Sequence, residues 1–136
     1  MKKYHFYSDP GHGWLKVSIK ELIKLGIAEK ITGYSYRKGN FAYLEEDCDV
    51  STFADSKKIS PKDFENHIYY HSANKMSKIR NYSSYYYSKE KEEYYNNLRN
   101  IILKLKDWNN RAIKQINNAS YNDLDFWKKH YGITLN

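Results

Sequence analysis

Four carboxylates crowd one short stretch of the chain, and they are the residues best suited to metal chemistry. They are Glu45, Glu46, Asp47 and Asp49. Carboxylate oxygens are the ligands that Mg²⁺ and Mn²⁺ prefer, and a metal held by His12, Glu45 and Asp47 could activate water for hydrolysis. Asp49 is equally well explained as a helix N-cap, and Asp47 as a turn residue. The stretch is therefore either a small metal-dependent hydrolytic site or a solvated junction between a strand and a helix.

His12 lies between two glycines in the segment DPGHG, so its imidazole is expected to be accessible. A general base needs a carboxylate to orient it, and Asp9 is the nearest one. An aspartate before Pro-Gly more often accepts hydrogen bonds within its own turn. Cys48, the single cysteine, stands between Asp47 and Asp49, whose charges disfavour its thiolate. We therefore predict a turn with an accessible histidine, no catalytic residue and no cofactor.

A basic, tyrosine-rich segment at residues 73–88 is the main candidate for binding a partner. The candidate residues are Lys75, Lys78, Arg80, Tyr82, Tyr85, Tyr86 and Tyr87, with Lys89, Arg99 and Arg111 following on a helix. Lysine and arginine neutralise phosphates while tyrosines stack on unpaired bases. Tyrosine and arginine are also enriched at the hot spots of protein interfaces. The segment therefore contacts nucleic acid, contacts a protein partner, or packs its tyrosines inside the fold.

The elements that position these residues form a predicted α+β module over residues 1–72. Alternating residues predict strands at Lys3–Ser8 and Trp14–Val17. Ser18 and Glu21 form a capping box that begins a helix. Two further strands, predicted at Thr32–Arg37 and Asn40–Glu45, flank the turn at Lys38-Gly39. A short helix is then predicted over Asp49–Lys57.

Residues 61–71 fit two structures. Pro61 after a serine is typical of a helix start, and Phe64, Ile68 and His71 would share a helical face. Ile68-Tyr69-Tyr70 fits a strand equally well. We favour a strand that closes the sheet.

The remaining residues, 89–136, predict a helical hairpin. Apolar residues recur at spacings of three and four from Lys89 to Asn117, which predicts one long helix. A shorter helix follows, with Ser120 as its cap. The predicted fold class is α+β: a small, mostly antiparallel sheet with one or two helices, followed by a C-terminal helical hairpin with one long helix.

The composition indicates a basic protein with abundant aromatic residues. The net charge is +7, and 15 of the 136 residues are tyrosine. This balance favours contact with nucleic acid, acidic proteins or anionic membranes. No stretch approaches 18 apolar residues, so we predict no membrane span. One cysteine permits no internal disulfide, which suits a reducing cytoplasm.

Four blocks of the sequence occur in order between about Tyr7 and Tyr85: DPGHGWLKV, LGIAEKI, YLEEDCDVSTF and SKIRNYSSY. As a set, they resemble a family of small uncharacterised proteins of phages and mobile elements. The resemblance implies a phage or plasmid setting and carries over no catalytic residue. Residues from Lys89 onward fall outside it.

In that setting we expect a non-enzymatic binding protein that inhibits a host defence protein or nucleoprotein complex, in the manner of an anti-CRISPR protein. Basic residues would contact the guide RNA of such a complex while tyrosines dock on its protein. Direct binding of nucleic acid and a small metal-dependent hydrolase, built on His12 and the carboxylates of residues 45–49, are the alternatives.

Overall fold

The computed structural model describes residues 2–135, so the terminal residues that bound the predicted ranges 1–72 and 89–136 lie outside it. It has the predicted α+β fold. The strands are β1 (Tyr4–Ser8), β2 (Gly13–Ser18), β3 (Tyr36–Lys38), β4 (Phe41–Glu45), β5 (Ile68–Ser72) and β6 (Ser83–Ser84). The helices are α1 (Ile19–Lys24), α2 (Val50–Ser56), α3 (Pro61–Glu65), α4 (Lys89–Leu103), α5 (Asn110–Asn117) and α6 (Tyr121–His130).

The strands form one mixed sheet in the order β5-β1-β2-β4-β3-β6. Strand β5 runs parallel to β1, and the other neighbours are antiparallel. The turn between β3 and β4 needs Gly39 because its φ is 59°, in the left-handed region that glycine enters at little cost. The predicted hairpin at Lys38-Gly39 is confirmed.

One face of the sheet builds the core of this part of the chain. Leu15 and Leu44 are directly opposite in the register of β2 and β4, and both are fully buried. On β1, Tyr4 packs edge-on against Phe53 of α2, with ring centres 5.3 Å apart, and lies near Phe64 of α3. Because side chains alternate along a strand, the neighbouring residues of β1, β2 and β4 point to the opposite face.

Residues 61–72 adopt both structures that the sequence allowed. Ser60 accepts a hydrogen bond from the Asp63 backbone N–H and caps α3, which has Pro61 at its start. The chain then extends into β5, which confirms the favoured strand. Strand β5 lies at the edge of the sheet beside β1.

The predicted single helix over Lys89–Asn117 is wrong in its length, because α4 ends at Leu103 and α5 begins at Asn110. The indole N–H of Trp108 folds back and donates to the carbonyl of Ile102 at 2.9 Å. Asn109 then caps α5 by accepting from the Ala112 N–H at 2.8 Å. The apolar residues keep their helical spacing across the break, so the sequence periodicity gives no sign that the helix ends there.

The chain divides into two compact units, one through Tyr86 and one from Tyr87. The second unit has its own core of buried residues, which are Leu98, Ile102, Ile116, Ala119 and Leu124. Most of the predicted connector at residues 73–88 belongs to the first unit, where Lys78–Asn81 forms a short 3-10 helix and β6 pairs with β3. Among the described residues, no helix combines the length and the apolarity that crossing a membrane requires.

Candidate functional site

The sheet face that points away from α1, α2 and α3 carries aromatic, imidazole and charged side chains. We call it the open face. From β5 across to β3 its residues are Tyr69, His71, His5, Tyr7, Trp14, Lys16, Phe41, Tyr43, Glu45, Tyr36 and Lys38. Trp14 and Tyr43 of this face are buried, so the exposed residues at its β1–β5 end are the leading candidate for a functional surface.

Two histidines and two tyrosines at the β1–β5 end of the open face form a ring array: His5, Tyr7, Tyr69 and His71. The Tyr7 and His71 rings are nearly parallel, with centres 4.8 Å apart and an interplanar angle of 16°. His5 lies 5.2 Å from His71 and 5.5 Å from Tyr69 between ring centres. The Nδ1 of His5 and the Nε2 of His71 are 2.9 Å apart, so one nitrogen donates to the other. Tyr69 is 51% exposed, His5 and His71 are exposed, and Tyr7 is half-buried against the cluster of Trp14.

Lysines surround a shallow depression of about 270 Å³ beside the ring array. Its lining residues are Lys2, Lys3, Tyr4, His5, Lys16, Val17, Ser18 and Phe41. The Lys3 ammonium lies 5.0 Å from the centre of the Tyr69 ring, and that of Lys16 lies 4.3 Å from Phe41. Lys2 is paired with Glu21 at 2.8 Å. We call this the lysine depression, and none of its lining residues is acidic.

The middle of the open face is covered by the segment that contains Arg80. Ile79 packs against Trp14 and Tyr43, and all three are buried. Burial, together with the nearby Tyr82 phenol, raises the pKa of Tyr43 to about 12. The Arg80 guanidinium lies over the Trp14 ring, 5.4 Å from its centre.

Arg80 is held by Asp9 in a two-pronged ion pair. Its Nε and Nη2 donate to the two carboxylate oxygens of Asp9 at 2.6 and 2.9 Å. The same carboxylate accepts from the backbone N–H groups of Gly11, His12 and Ser77, each at 2.9 Å. The Arg80 guanidinium holds the pKa of Asp9 far below its ordinary range. We call this arrangement the Asp9–Arg80 clamp.

The clamp bears on the predicted roles of Asp9 and Arg80. Asp9 accepts hydrogen bonds within its own turn, as predicted, and does not orient His12 as a base. Arg80 was predicted to contact a partner, but Asp9 holds two of its guanidinium nitrogens. Its first role is therefore to join the DPGHG turn to the segment that covers the open face.

An acidic pocket of about 300 Å³ lies at the β2–β4 end of the open face. Its lining residues are His12, Trp14, Tyr34, Tyr36, Glu45, Asp47, Cys48 and Arg80. One possible ligand atom from each of His12, Glu45, Glu46 and Asp47 lies within 4.8 Å of all the others. The structure thus brings together His12, Glu45 and Asp47, the three predicted metal candidates, with Glu46 of the same acidic stretch.

Glu45 is the buried member of this pocket, at 8% exposure. Its Oε2 accepts from the backbone N–H groups of Asp47 and Cys48, both at 2.9 Å. Its Oε1 lies 3.8 Å from the Nδ1 of His12, whose side chain is 49% exposed. A hydrogen bond to Glu45, burial and the charges of neighbouring carboxylates raise the pKa of the Cys48 thiol. The prediction that its thiolate is disfavoured is confirmed.

Asp49 stands at the N-cap position of α2, as predicted, but its side chain makes no cap hydrogen bond. It is 1% exposed and accepts from the Ser35 hydroxyl at 2.5 Å and from the Thr32 hydroxyl at 2.8 Å. The Ser35 hydroxyl oxygen in turn accepts from the Glu45 backbone N–H at 2.9 Å. Asp49 therefore anchors the loop before β3 and is not a ligand of the acidic pocket.

The other predicted partner-binding residues divide by burial. Lys75, Lys78, Tyr86, Lys89 and Arg111 are exposed, while Tyr82 and Tyr87 are half-buried. Tyr85 is 5% exposed and its hydroxyl donates to the Ala28 carbonyl at 2.5 Å. Arg99 is 7% exposed and donates to the Ile116 carbonyl at 3.1 Å. The predicted partner surface must therefore be corrected to leave out Tyr85 and Arg99.

Sequence reasoning missed the ring array. Its only local signal is the alternation of His5 with Tyr7 and of Tyr69 with His71. The parallel pairing of β5 with β1 brings these two short patterns side by side over a separation of more than sixty residues. None of the protein families, curated proteins or solved structures compared with this chain matches it.

Proposed function

We propose that this protein is a non-enzymatic binding protein that engages a nucleoprotein complex of its host through the open face. The observation that carries the proposal is the exposed ring array beside the lysine depression. Aromatic rings at such a surface supply contact area at low conformational cost. Lysines supply attraction to phosphates or acidic groups. A surface with both features suits a target that contains protein and nucleic acid.

The resemblance to phage and mobile-element proteins supports a host complex as the target of this binding. A mobile element gains from a small protein that occupies a host defence complex, and an anti-CRISPR role is one form of that inhibition. The exposed lysines Lys75 and Lys78 add to the positive field of the same unit. A host target of this kind places the protein in the bacterial cytoplasm.

Affinity purification from host lysate tests the proposal. The tagged chain is used as bait with and without nuclease treatment, beside a Tyr69→Ala variant and a Tyr70→Ala control. Tyr70 is 60% exposed on the same strand but packs near Phe6 on the opposite face. We expect one host complex to be retained by wild type and by the control, and to be absent with Tyr69→Ala. Equal recovery with both variants would remove the open face as the binding surface.

The acidic pocket supports a second candidate, a small metal-dependent hydrolase. The supporting observation is the convergence of one imidazole and three carboxylates within 4.8 Å. Oxygen-rich sets of this kind suit Mg²⁺ or Mn²⁺, and a metal there would activate water against a substrate in the pocket. Glu45 also holds the turn at Asp47 and Cys48, so a test that alters Glu45 would confuse folding with binding.

Thermal unfolding in Mn²⁺ tests this second candidate through Glu46 and Asp47, which are exposed. A ligand that binds the folded state raises its melting temperature by mass action. We expect Mn²⁺ to raise the melting temperature of the wild type and not that of Glu46→Gln/Asp47→Asn. The Glu65→Gln/Asp63→Asn variant on α3 is the control. The same shift in all three proteins, or none in the wild type, would rule out the metal site.

A further inference from the structure

We propose that the ring array and the lysine depression together form a binding site for single-stranded nucleic acid. The inference rests on the proposed function and names the component of the nucleoprotein that the open face holds. In this arrangement, unpaired bases stack on the rings of β1 and β5. The phosphates that join them lie in the lysine depression.

The geometry of the rings suits bases. Cross-strand register places Tyr69 opposite His5 and His71 opposite Tyr7, so the four side chains occupy adjacent positions on one face. Their rings stack on one another at interplanar angles of 16° to 35°, so a base would continue the stack from an outer ring such as Tyr69, which is 51% exposed. Stacking on aromatic residues of an exposed sheet is a common way for proteins to hold single strands.

The charges next to the rings suit phosphates. Lys3 reaches over Tyr69 from one side of the array, and Lys16 is directly opposite His5 in the register of β1 and β2. His5 itself lines the lysine depression, so the stacking surface and the cationic surface share a residue. Lys2 is already paired with Glu21, which leaves Lys3 and Lys16 as the principal phosphate contacts.

A single strand fits this site better than a duplex does. Base faces are hidden inside a duplex, so the ring array would meet only its sugar-phosphate edges. The flat array also offers no helix to enter a major groove, which is the usual means of reading duplex DNA. We therefore expect a strong preference for unpaired nucleic acid.

Fluorescence anisotropy with the full chain tests the site directly. The probes are labelled twelve-nucleotide oligo-dT and oligo-U and a mixed-sequence DNA duplex of the same length. Stacking on one aromatic ring is worth about 1–3 kcal/mol per base, so Tyr69→Ala is expected to weaken single-strand binding roughly 5- to 150-fold. Tyr70→Ala on the opposite face is expected to leave the affinity within about twofold, because the open face is unchanged. The two single-stranded probes distinguish DNA from RNA.

Salt dependence tests the phosphate contacts separately. Removing one cation that neutralises a phosphate of a single strand reduces the slope of log K against log salt by about 0.7. Lys3→Gln/Lys16→Gln should therefore reduce the slope by about 1.4, while Lys20→Gln/Lys24→Gln on α1 should leave it unchanged. The lysines of the control lie on α1, whose Glu21 accepts from the hydroxyl of Tyr4, a residue of the other face.

Three results would overturn this inference. They are equal affinity for duplex and single strand, equal effects of Tyr69→Ala and Tyr70→Ala, and absence of oligonucleotide binding. The last result, together with a host partner that survives nuclease treatment and still depends on Tyr69, would leave the proposed function standing with a protein target. Absence of both the lysate partner and oligonucleotide binding would remove the two proposals together.

Discussion

At the scale of single residues, the Asp9–Arg80 clamp is the ion pair that holds the segment covering the middle of the open face. A bidentate pair of this kind is stronger and more directional than a single ion pair. It joins a turn near the start of the chain to the segment that covers Trp14 and Tyr43. The sequence predicted the turn from local chemistry. It could not predict the partner, because Arg80 lies 71 residues further along the chain and no local pattern links it to Asp9.

Asp9→Asn should destabilise the protein in a way that depends on pH. The pKa of Asp9 is depressed in the folded chain and is about 3.9 in an unfolded one. Ionised Asp9 therefore stabilises the fold fully above about pH 5, and this contribution is lost as the pH falls below about 4. Urea denaturation of wild type and Asp9→Asn should show a large difference at pH 7 that shrinks by pH 3.

Arg80→Lys is the companion variant to Asp9→Asn. It keeps the charge but loses the fork that matches a carboxylate, so it should fall between the wild type and Asp9→Asn at pH 7. A gap between wild type and Asp9→Asn that is the same at pH 7 and pH 3 would mean that the ion pair is not the source of the stability.

Cys48 should react slowly for an exposed thiol. Its pKa is raised first by the hydrogen bond to Glu45 and further by burial and neighbouring carboxylates, so little thiolate is present near neutral pH. Alkylation by iodoacetamide at pH 8 should be slower than that of a free cysteine. Glu45→Gln keeps an oxygen that can accept from the Asp47 and Cys48 N–H groups, so it should accelerate alkylation at an unchanged melting temperature, whereas Glu65→Gln on α3 should not accelerate it. An unchanged rate in a Glu45→Gln variant that stays folded would contradict the assigned cause.

At the scale of elements, alternation and turn chemistry predicted most of the first unit. The hairpin at Lys38-Gly39 and the capping serine of α1 follow from local residues, and Ser18 accepts from the Glu21 N–H at 3.2 Å. The break between α4 and α5 was missed because Leu98, Ile101, Leu105 and Trp108 keep a helical spacing. The signal for the break is Asn109, a good cap residue that lies inside an apparently continuous pattern.

Trp108→Phe tests the account of this break. The variant keeps an aromatic ring near Trp127 but removes the donor to the Ile102 carbonyl. A hydrogen bond of this kind contributes about 1 kcal/mol. Chemical denaturation should show a loss of that order. Trp127→Phe, which leaves the bond to Ile102 in place, should cost less. Equal stability of Trp108→Phe and wild type would mean that the bond does not hold the helix end.

At the scale of the whole molecule, the chain has two compact units, and each buries its own residues. Because the cores are separate, a destabilising substitution in one unit should leave the stability of the other unit unchanged. Ile102→Ala should destabilise the second unit by about 2–5 kcal/mol, which is typical of a fully buried isoleucine. Hydrogen exchange should show loss of amide protection in α4 and α6, with protection of Leu15 and Leu44 retained. Loss of protection in both units at once would show that they unfold as one.

At this scale the basic composition predicted a binding protein and placed its surface in one segment. In the structure, part of that segment is bonded within the fold. The buried Tyr85 donates to the Ala28 carbonyl, and Arg80 donates to Asp9. The exposed aromatic surface comes instead from β1 and β5, which are far apart in sequence and pair in parallel. A pairing between distant strands leaves no local pattern, so this part of the site required the structure.

Site-specific photo-crosslinking in host cells tests the central claim most directly. A photoreactive phenylalanine replaces Tyr69 in one protein and Tyr70 in another, two neighbouring exposed residues on opposite faces of β5. The open-face account predicts crosslinks to a host nucleoprotein from position 69 and few or none from position 70. Crosslinks of equal yield from both positions, or from position 70 alone, would contradict it.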